Sequence, residues 1–163
     1  MGTLENLKAA FAGECQAGRR YLAFAKKAVE EGFDQVARLF RAAAAAETVH
    51  ALNHLRAMGE MKSTAENLQA AVAGESHEYT EMYPAFIEEA QKEENSSAEI
   101  SFIGACAVEE IHARLFKEAL KGLGRNKIVD YWVCQVCGNT VEGEALEQCP
   151  ICGAARESFK KIE

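Results

Sequence analysis

Several features are scarce in this sequence, and their scarcity excludes functional classes. Basic residues are outnumbered, with 18 Lys and Arg against 25 Asp and Glu, and the net charge of −7 argues against nucleic-acid binding. No stretch approaches the ~20 apolar residues of a membrane span, so we expect no membrane insertion. The N-terminus has neither a basic segment nor a continuous apolar run, and we therefore expect no secretory signal.

Proline is also scarce, with two in 163 residues, and the first part of the chain is instead rich in helix-forming Ala, Leu, Glu and Lys. From about Lys127 the sequence becomes β-branched and aromatic, and then rich in turn residues. We predict a helical domain over residues 1–125 and a small domain over residues 130–163. The segment KGLGRNK separates them.

Apolar residues at steps of three and four predict four long helices in the first domain. The first two are expected over residues 4–30 and 34–58, each followed by a glycine. The next two begin at capping-box signatures, Ser63 with Glu66 and Ser96 with Glu99. Four such helices joined by short connections predict an all-α four-helix bundle.

Two further details of these helices are predicted. Pro84 lies within the third helix, where it should cause a kink or local break rather than an end, because the residues after it still favour a helix. The fourth helix should end near Gly122 or Gly124.

A glutamate interrupts the apolar stripe near the middle of every predicted helix. Imprecisely drawn helices would explain one such residue, but not four helices in agreement. Buried ionised carboxylates repel one another and need a cation, and carboxylate with imidazole suits iron or manganese. The carboxylates are Glu14, Glu47, Glu75, Glu78 and Glu109, and the histidines three residues after a glutamate are His50 and His112.

This pattern matches the ligand plan of di-iron carboxylate bundles, in which two helices each give a Glu and two each give Glu-x-x-His. Glu78 is one carboxylate beyond that plan. Tyr21 and Tyr83 lie about two turns beyond Glu14 and Glu75. Each tyrosine is either a packing residue or a hydroxyl bonded to a ligand carboxylate.

Six cysteines occur, four of them in two Cys-x-x-Cys-Gly knuckles. Two knuckles complete a tetrahedral four-sulfur site, which both zinc and iron accept. The ligands are Cys134, Cys137, Cys149 and Cys152. Cys15 and Cys106 are expected to be small buried or half-buried side chains.

The motifs AFAGEC with Tyr21, ETVH, AGESHEYTEMYP and AVEEIH, together with the paired knuckles, resemble those of rubrerythrins. The resemblance spans nearly the whole chain and implies a ferritin-like di-iron bundle followed by a rubredoxin-like iron domain. It implies that Glu47 and Glu109 bridge the two irons. Glu14 would be a terminal ligand of one iron, and Glu75 and His112 of the other.

The resemblance further implies that Glu78 and His50 exchange as ligands when the redox state changes. The implied function is a cytoplasmic peroxidase that reduces hydrogen peroxide to water, with electrons relayed through the four-cysteine iron. A rubredoxin or flavoprotein reductase, with NADH or NADPH behind it, would donate the electrons, and the assembly would be a homodimer or larger.

Two other functions compete with this one. A ferritin-like ferroxidase, or an oxygen-reducing di-iron protein, would use the same carboxylates but would leave the sulfur site without a purpose. A helical scaffold with a zinc ribbon would leave the buried glutamates unexplained.

Overall fold

The computed structural model describes residues 2–163, and its contacts divide the chain into two compact units on either side of the Lys62–Ser63 bond. The first unit is a pair of helices. The second contains three α-helices, a π-helical segment and a small β-sheet. Within residues 2–163, no helix combines the length and the apolar content needed to cross a membrane.

The first unit is a helical hairpin made of α1 (Thr3–Glu30) and α2 (Asp34–Ala57), each within one residue of the predicted bounds. Gly32 makes the turn between them with a φ of +81°, a conformation that favours glycine. Small side chains form the buried contact between the helices and allow a close approach. The fully buried cluster consists of Ala25, Ala28 and Ala37, with Phe40 packed against it.

The second unit begins with α3 (Thr64–His77), whose start is the predicted capping box. The Ser63 hydroxyl accepts the backbone N–H of Glu66 at 3.3 Å, and the Glu66 carboxylate accepts the backbone N–H of Ser63 at 3.1 Å. These bonds satisfy donors that the first helical turn leaves free.

The predicted break at Pro84 takes the form of a π-helical segment, Glu78–Met82, followed by α4 (Tyr83–Lys92). Proline has no N–H to complete the regular hydrogen-bond pattern of an α-helix. The wider π turn accommodates this loss and one additional residue. Within it, the Thr80 hydroxyl donates to the Ser76 carbonyl at 2.7 Å.

The last helix, α5, covers Ser96–Lys121, and its predicted capping box is wrong. Asn95, one residue before Ser96, caps the helix instead. Its side-chain oxygen accepts the N–H of Ala98 at 3.2 Å. Glu99 is therefore free for a different contact and accepts a hydrogen bond from Gln91 at 2.7 Å.

After Gly122, which ends α5 as predicted, the chain leads to a three-stranded antiparallel sheet. The central strand β1 (Tyr131–Cys134) pairs with β2 (Thr140–Glu142) and with β3 (Phe159–Ile162). The buried core of this part is small, and two of its four members are knuckle cysteines: Cys134, Ala145, Cys149 and Phe159. So small a core depends on a bound metal for its stability.

Candidate metal centres

The first unit brings together three of the predicted ligands. Glu14 lies on α1, and Glu47 and His50 lie three residues apart on α2, so they share one helix face. The His50 Nδ1 atom is 2.8 Å from a Glu47 oxygen and 3.9 Å from a Glu14 oxygen. One ligand atom from each residue lies within 4.8 Å of the others, a spacing suited to one metal ion.

The second unit repeats this cluster with nearly the same dimensions. Glu75 lies on α3, and Glu109 and His112 lie on α5. The His112 Nδ1 atom is 2.7 Å from a Glu109 oxygen and 3.9 Å from a Glu75 oxygen. The His112 side chain is 27% exposed, against 54% for His50 in the first cluster. The second cluster is therefore the more enclosed of the two.

The Nε2 atom of His112 contacts Thr140, a residue of strand β2. The Thr140 hydroxyl lies 2.9 Å from His112 Nε2 and donates its single proton to the Gly138 carbonyl at 3.2 Å. With that proton directed to the Gly138 carbonyl, the hydroxyl can accept the Nε2 proton of His112. A histidine that binds a metal through Nδ1 carries its proton on Nε2, so the Thr140 contact suits this tautomer.

The electrostatics of the second cluster favour a bound cation. Burial, together with the neighbouring Glu109 and Glu78 carboxylates, raises the pKa of Glu75 to about 7. The raised pKa reflects burial and repulsion between neighbouring carboxylates, and a bound metal ion would relieve that repulsion. The donor set of carboxylate oxygens and imidazole nitrogen fits iron.

The fifth predicted carboxylate, Glu78, begins the π-helical segment and is half-buried. It lies outside the three-ligand cluster, although its charge acts on both Glu75 and Tyr83. Burial raises the pKa of Tyr83, and the Glu109 and Glu78 carboxylates add to the effect. Tyr21 packs against Phe40, with ring centroids 6.1 Å apart. The catalytic roles of these side chains stay predictions.

The four knuckle cysteines converge as predicted. The Sγ atoms of Cys134 and Cys152 are 3.7 Å apart, and those of Cys137 and Cys149 are 3.5 Å apart. A tetrahedral metal with bonds of about 2.3 Å needs sulfurs about 3.8 Å apart, so the arrangement fits a four-sulfur site.

The protonation of these thiols also points to a metal. Burial opposes ionisation of Cys149, but hydrogen bonds from the backbone N–H groups of Cys152 and Ile151 and from the neighbouring thiols lower the pKa to about 6. Burial raises the pKa of Cys137 to about 12, and the neighbouring thiols contribute to that rise. The four sulfurs cannot all ionise together without a cation between them.

Sequence reasoning missed two residues beside these sites, Asn139 and Thr140. Thr140 contacts a histidine 28 positions earlier, and Asn139 is fully buried with its amide 3.6 Å from the Cys149 sulfur. The only signal was their place directly after the first knuckle. The expectation for Cys106 is confirmed, since it is half-buried, but that for Cys15 is wrong. Cys15 is exposed because it follows Glu14 by one residue and so points about 100° away from the stripe.

Comparisons with known proteins agree with these centres. The Rubrerythrin family matches residues 5–120, and the rubredoxin-like domain of rubrerythrin matches residues 132–160. Rubrerythrin-2 of Clostridium acetobutylicum is 35% identical over 175 residues, which cover 97% of this chain and 95% of that protein. Nigerythrin of Nitratidesulfovibrio vulgaris is 40% identical over 171 residues, covering 96% of this chain and 85% of that protein. A solved structure of nigerythrin in a mixed-valence state matches with a TM-score of 0.60 and 39% identity, over 99% of this chain and 87% of that chain.

These matches identify both parts of the chain and their metals. The helical part is a ferritin-like four-helix bundle, and the C-terminal part is a rubredoxin-like metal domain. The two carboxylate–histidine clusters and the four cysteines match the iron sites of rubrerythrins, which are a di-iron site and one iron held by four cysteines. The chain is a non-haem iron redox protein and belongs to the rubrerythrin family.

Proposed function

We propose that this protein is a peroxidase that reduces hydrogen peroxide to water with electrons relayed through its four-cysteine iron. The observation that carries the proposal is the contact between the sheet of the sulfur site and a ligand of the carboxylate site, Thr140 with His112. When bound, the di-iron site supplies the two electrons that peroxide reduction needs, and the four-sulfur iron supplies electrons singly.

By likeness to the family, the carboxylates and histidines of each cluster would serve as iron ligands. Glu47 and Glu109 are proposed as the bridging carboxylates because each occupies the same place in its own cluster, next to the histidine nitrogen. Glu14 would be a terminal ligand in the first cluster. Glu75 and His112 would be terminal ligands in the second.

His50 and Glu78 are proposed as the exchanging pair. His50 is half-exposed, and both of its ion-pair contacts use Nδ1, so its ring is held less firmly than that of His112. Glu78 lies on a π-helical segment, a form of helix that is rare and often found at functional sites. These features make the two side chains the candidates for ligand exchange.

Tyr83 would hold a proton at the site. A phenol is protonated at neutral pH, and burial beside carboxylates raises the pKa of Tyr83 further. Peroxide reduction to two waters consumes two protons, so a protonated hydroxyl close to the ligands would orient or supply one of them.

Electrons would reach the carboxylate site within the second unit. The backbone N–H of Gly138 donates to the Cys134 carbonyl at 2.8 Å, and the Gly138 carbonyl accepts the Thr140 hydroxyl. Thr140 then contacts His112. This series of hydrogen bonds joins a knuckle cysteine to a proposed iron ligand without crossing solvent.

The external donor would meet the exposed side of the knuckles. Cys152 is exposed, and Val136 between the first two cysteines is 66% exposed, so a rubredoxin or flavoprotein reductase could approach the sulfur site there. NADH or NADPH would in turn supply electrons to that donor. We further propose a cytoplasmic homodimer or larger assembly, by likeness to the family.

A stopped-flow comparison tests the proposal. The iron-loaded protein is reduced without air and mixed separately with hydrogen peroxide and with dissolved oxygen, while the visible absorbance of the ferric four-sulfur iron is followed. Reoxidation by peroxide should be much faster than by oxygen. Faster reaction with oxygen would favour an oxidase or ferroxidase, and iron uptake beyond the fixed sites would favour storage.

A further inference from the structure

Asn139 lies directly after the first knuckle and is among the most buried side chains of the protein, at 1% exposure. Its backbone carbonyl accepts the N–H of Cys134 at 2.9 Å, which fixes the residue against the sulfur site. Its side-chain Nδ2 lies 3.6 Å from the Cys149 sulfur, within hydrogen-bond distance for a sulfur acceptor. The side chain is thus buried against a metal ligand.

The other end of the same amide is unsatisfied. Asn139 Oδ1 is the one buried side-chain nitrogen or oxygen, among residues 2–163, for which no hydrogen-bond partner is found. A buried carbonyl without a partner destabilises the folded protein, whereas a leucine of similar volume would fill the space without that penalty. Packing alone therefore does not explain an amide here, and the contact between Nδ2 and sulfur does.

We propose that Asn139 raises the reduction potential of the four-sulfur iron by donating a side-chain hydrogen bond to the Cys149 sulfur. The reduced site carries one more negative charge than the oxidised site, and the added electron increases the charge on the sulfurs. An N–H donor stabilises the more negative state more strongly. The hydrogen bond therefore favours reduction.

Among the hydrogen-bond donors to the Cys149 sulfur, Asn139 is the one that a substitution can remove. The other donors to this sulfur are backbone N–H groups of Ile151 and Cys152, which follow from the knuckle turn itself. Only a side-chain donor can be removed by substitution without altering that turn. Asn139 would set how readily the site accepts an electron from the donor and passes it on.

A potentiometric titration of the iron-loaded protein, followed by visible absorbance, tests this proposal with Asn139→Leu. The equilibrium constant for reduction should fall on the order of tenfold, which is about 59 mV for one electron. Gln148→Leu is the matched control, because it also removes a side-chain amide near the knuckles, but one that donates to the Gly153 carbonyl at 3.1 Å. In this control, the equilibrium constant for reduction should stay within about twofold of the native value. An unchanged potential in Asn139→Leu would overturn the proposal.

A second measurement needs no substitution at Asn139. In full-length protein with 113Cd in the four-cysteine site, a proton of the Asn139 side-chain amide should show scalar coupling to the metal through the sulfur. A resolved amide signal without coupling would refute the hydrogen bond. The proposal rests on the four-sulfur iron of the proposed function, but neither test uses peroxide, so either idea can fail alone.

Discussion

The helix pair of the first unit and the α3–α5 region of the second are two versions of one design, and the spacing from glutamate to tyrosine differs between them by one residue. In the first, Tyr21 follows Glu14 by seven residues along an unbroken helix. In the second, Tyr83 follows Glu75 by eight, and the additional residue falls in the π-helical segment Glu78–Met82. The wider turn absorbs that residue and keeps the tyrosine on the same face as the glutamate.

The aromatic side chains show how closely the two versions agree. Each contains one tyrosine and two phenylalanines in mutual contact, with ring centroids separated by 6.3, 6.1 and 5.6 Å in the first and 6.3, 6.2 and 5.5 Å in the second. The members are Tyr21, Phe24 and Phe40, and Tyr83, Phe86 and Phe102. Against this common background, Glu78 and the Thr140 contact are additions of the second unit. They distinguish the second cluster from the first.

The largest effect is expected when the second unit loses its additional carboxylate, Glu78. Glu78→Ala should lower peroxide turnover on the order of 100-fold while the clusters still bind metal, because one ligand of the proposed exchange is missing. Steady-state kinetics with measured iron content check this. The matched control is Glu81→Ala in the same π-helical segment, since Glu81 is 72% exposed and pairs with His77. Equal turnover in both variants would remove Glu78 from the mechanism.

The next effect comes from releasing the His112 ring. Thr140→Val keeps the shape of the side chain but removes the hydroxyl that contacts Nε2 of His112. We therefore expect iron affinity or turnover to fall by roughly 10- to 100-fold. Thr48→Val serves as the control, because the Thr48 hydroxyl donates to the Ala44 carbonyl on its own helix. Iron titration and single-turnover kinetics should separate the two. A native result for Thr140→Val would show that the hydroxyl neither orients His112 nor assists the relay.

A smaller effect should distinguish the two tyrosines. Tyr83→Phe removes a hydroxyl that lies among carboxylates, and peroxide turnover should fall several-fold, about the value of one neutral hydrogen bond. Tyr21→Phe should have little effect, because the Tyr21 ring contacts aromatic side chains. Turnover measured over a pH range checks both. Equal losses would mean that the two versions use their tyrosines alike.

The last effect concerns stability rather than turnover, in the metal-free second cluster. The pKa of Glu75 is raised from 4.5 to about 7, so the folded state binds more protons than the unfolded state between these values. Stability without iron should therefore fall as pH rises from about 4.5 to about 7, and then level off. Urea unfolding of native protein and Glu75→Gln checks this, and the variant should lack the slope. A native protein with no slope in that range would contradict the raised pKa.

Much of this arrangement could be predicted from sequence because it depends on local spacing. Glu-x-x-His places two ligands on one helix face, and Cys-x-x-Cys-Gly encodes its own turn. The Asn95 cap was missed because Asn and the neighbouring Ser96 both suit a cap position, and their difference is one residue of register. The π-helical segment was foreseen only as a break at Pro84, since proline shows where a helix fails but not how it adjusts.

The remaining details could not be predicted because they join residues distant in sequence. Nothing near Thr140 indicates that its hydroxyl meets His112, and nothing near Asn139 indicates that its amide faces Cys149. The Thr140 contact depends on how the sheet packs against α5, and it joins the sulfur domain to the second carboxylate cluster. The Asn139 contact lies within the sulfur domain, between the residue after the first knuckle and a cysteine of the second.

The central claim, that three irons act as one electron reservoir for peroxide, is tested most directly by an anaerobic titration of the fully reduced protein with hydrogen peroxide. Three ferrous ions release three electrons and each peroxide accepts two, so all visible absorbance change should end at about 1.5 peroxides per chain. The four-sulfur band should appear in full by that point. An end point near one peroxide, with the four-sulfur iron still reduced, would contradict the account.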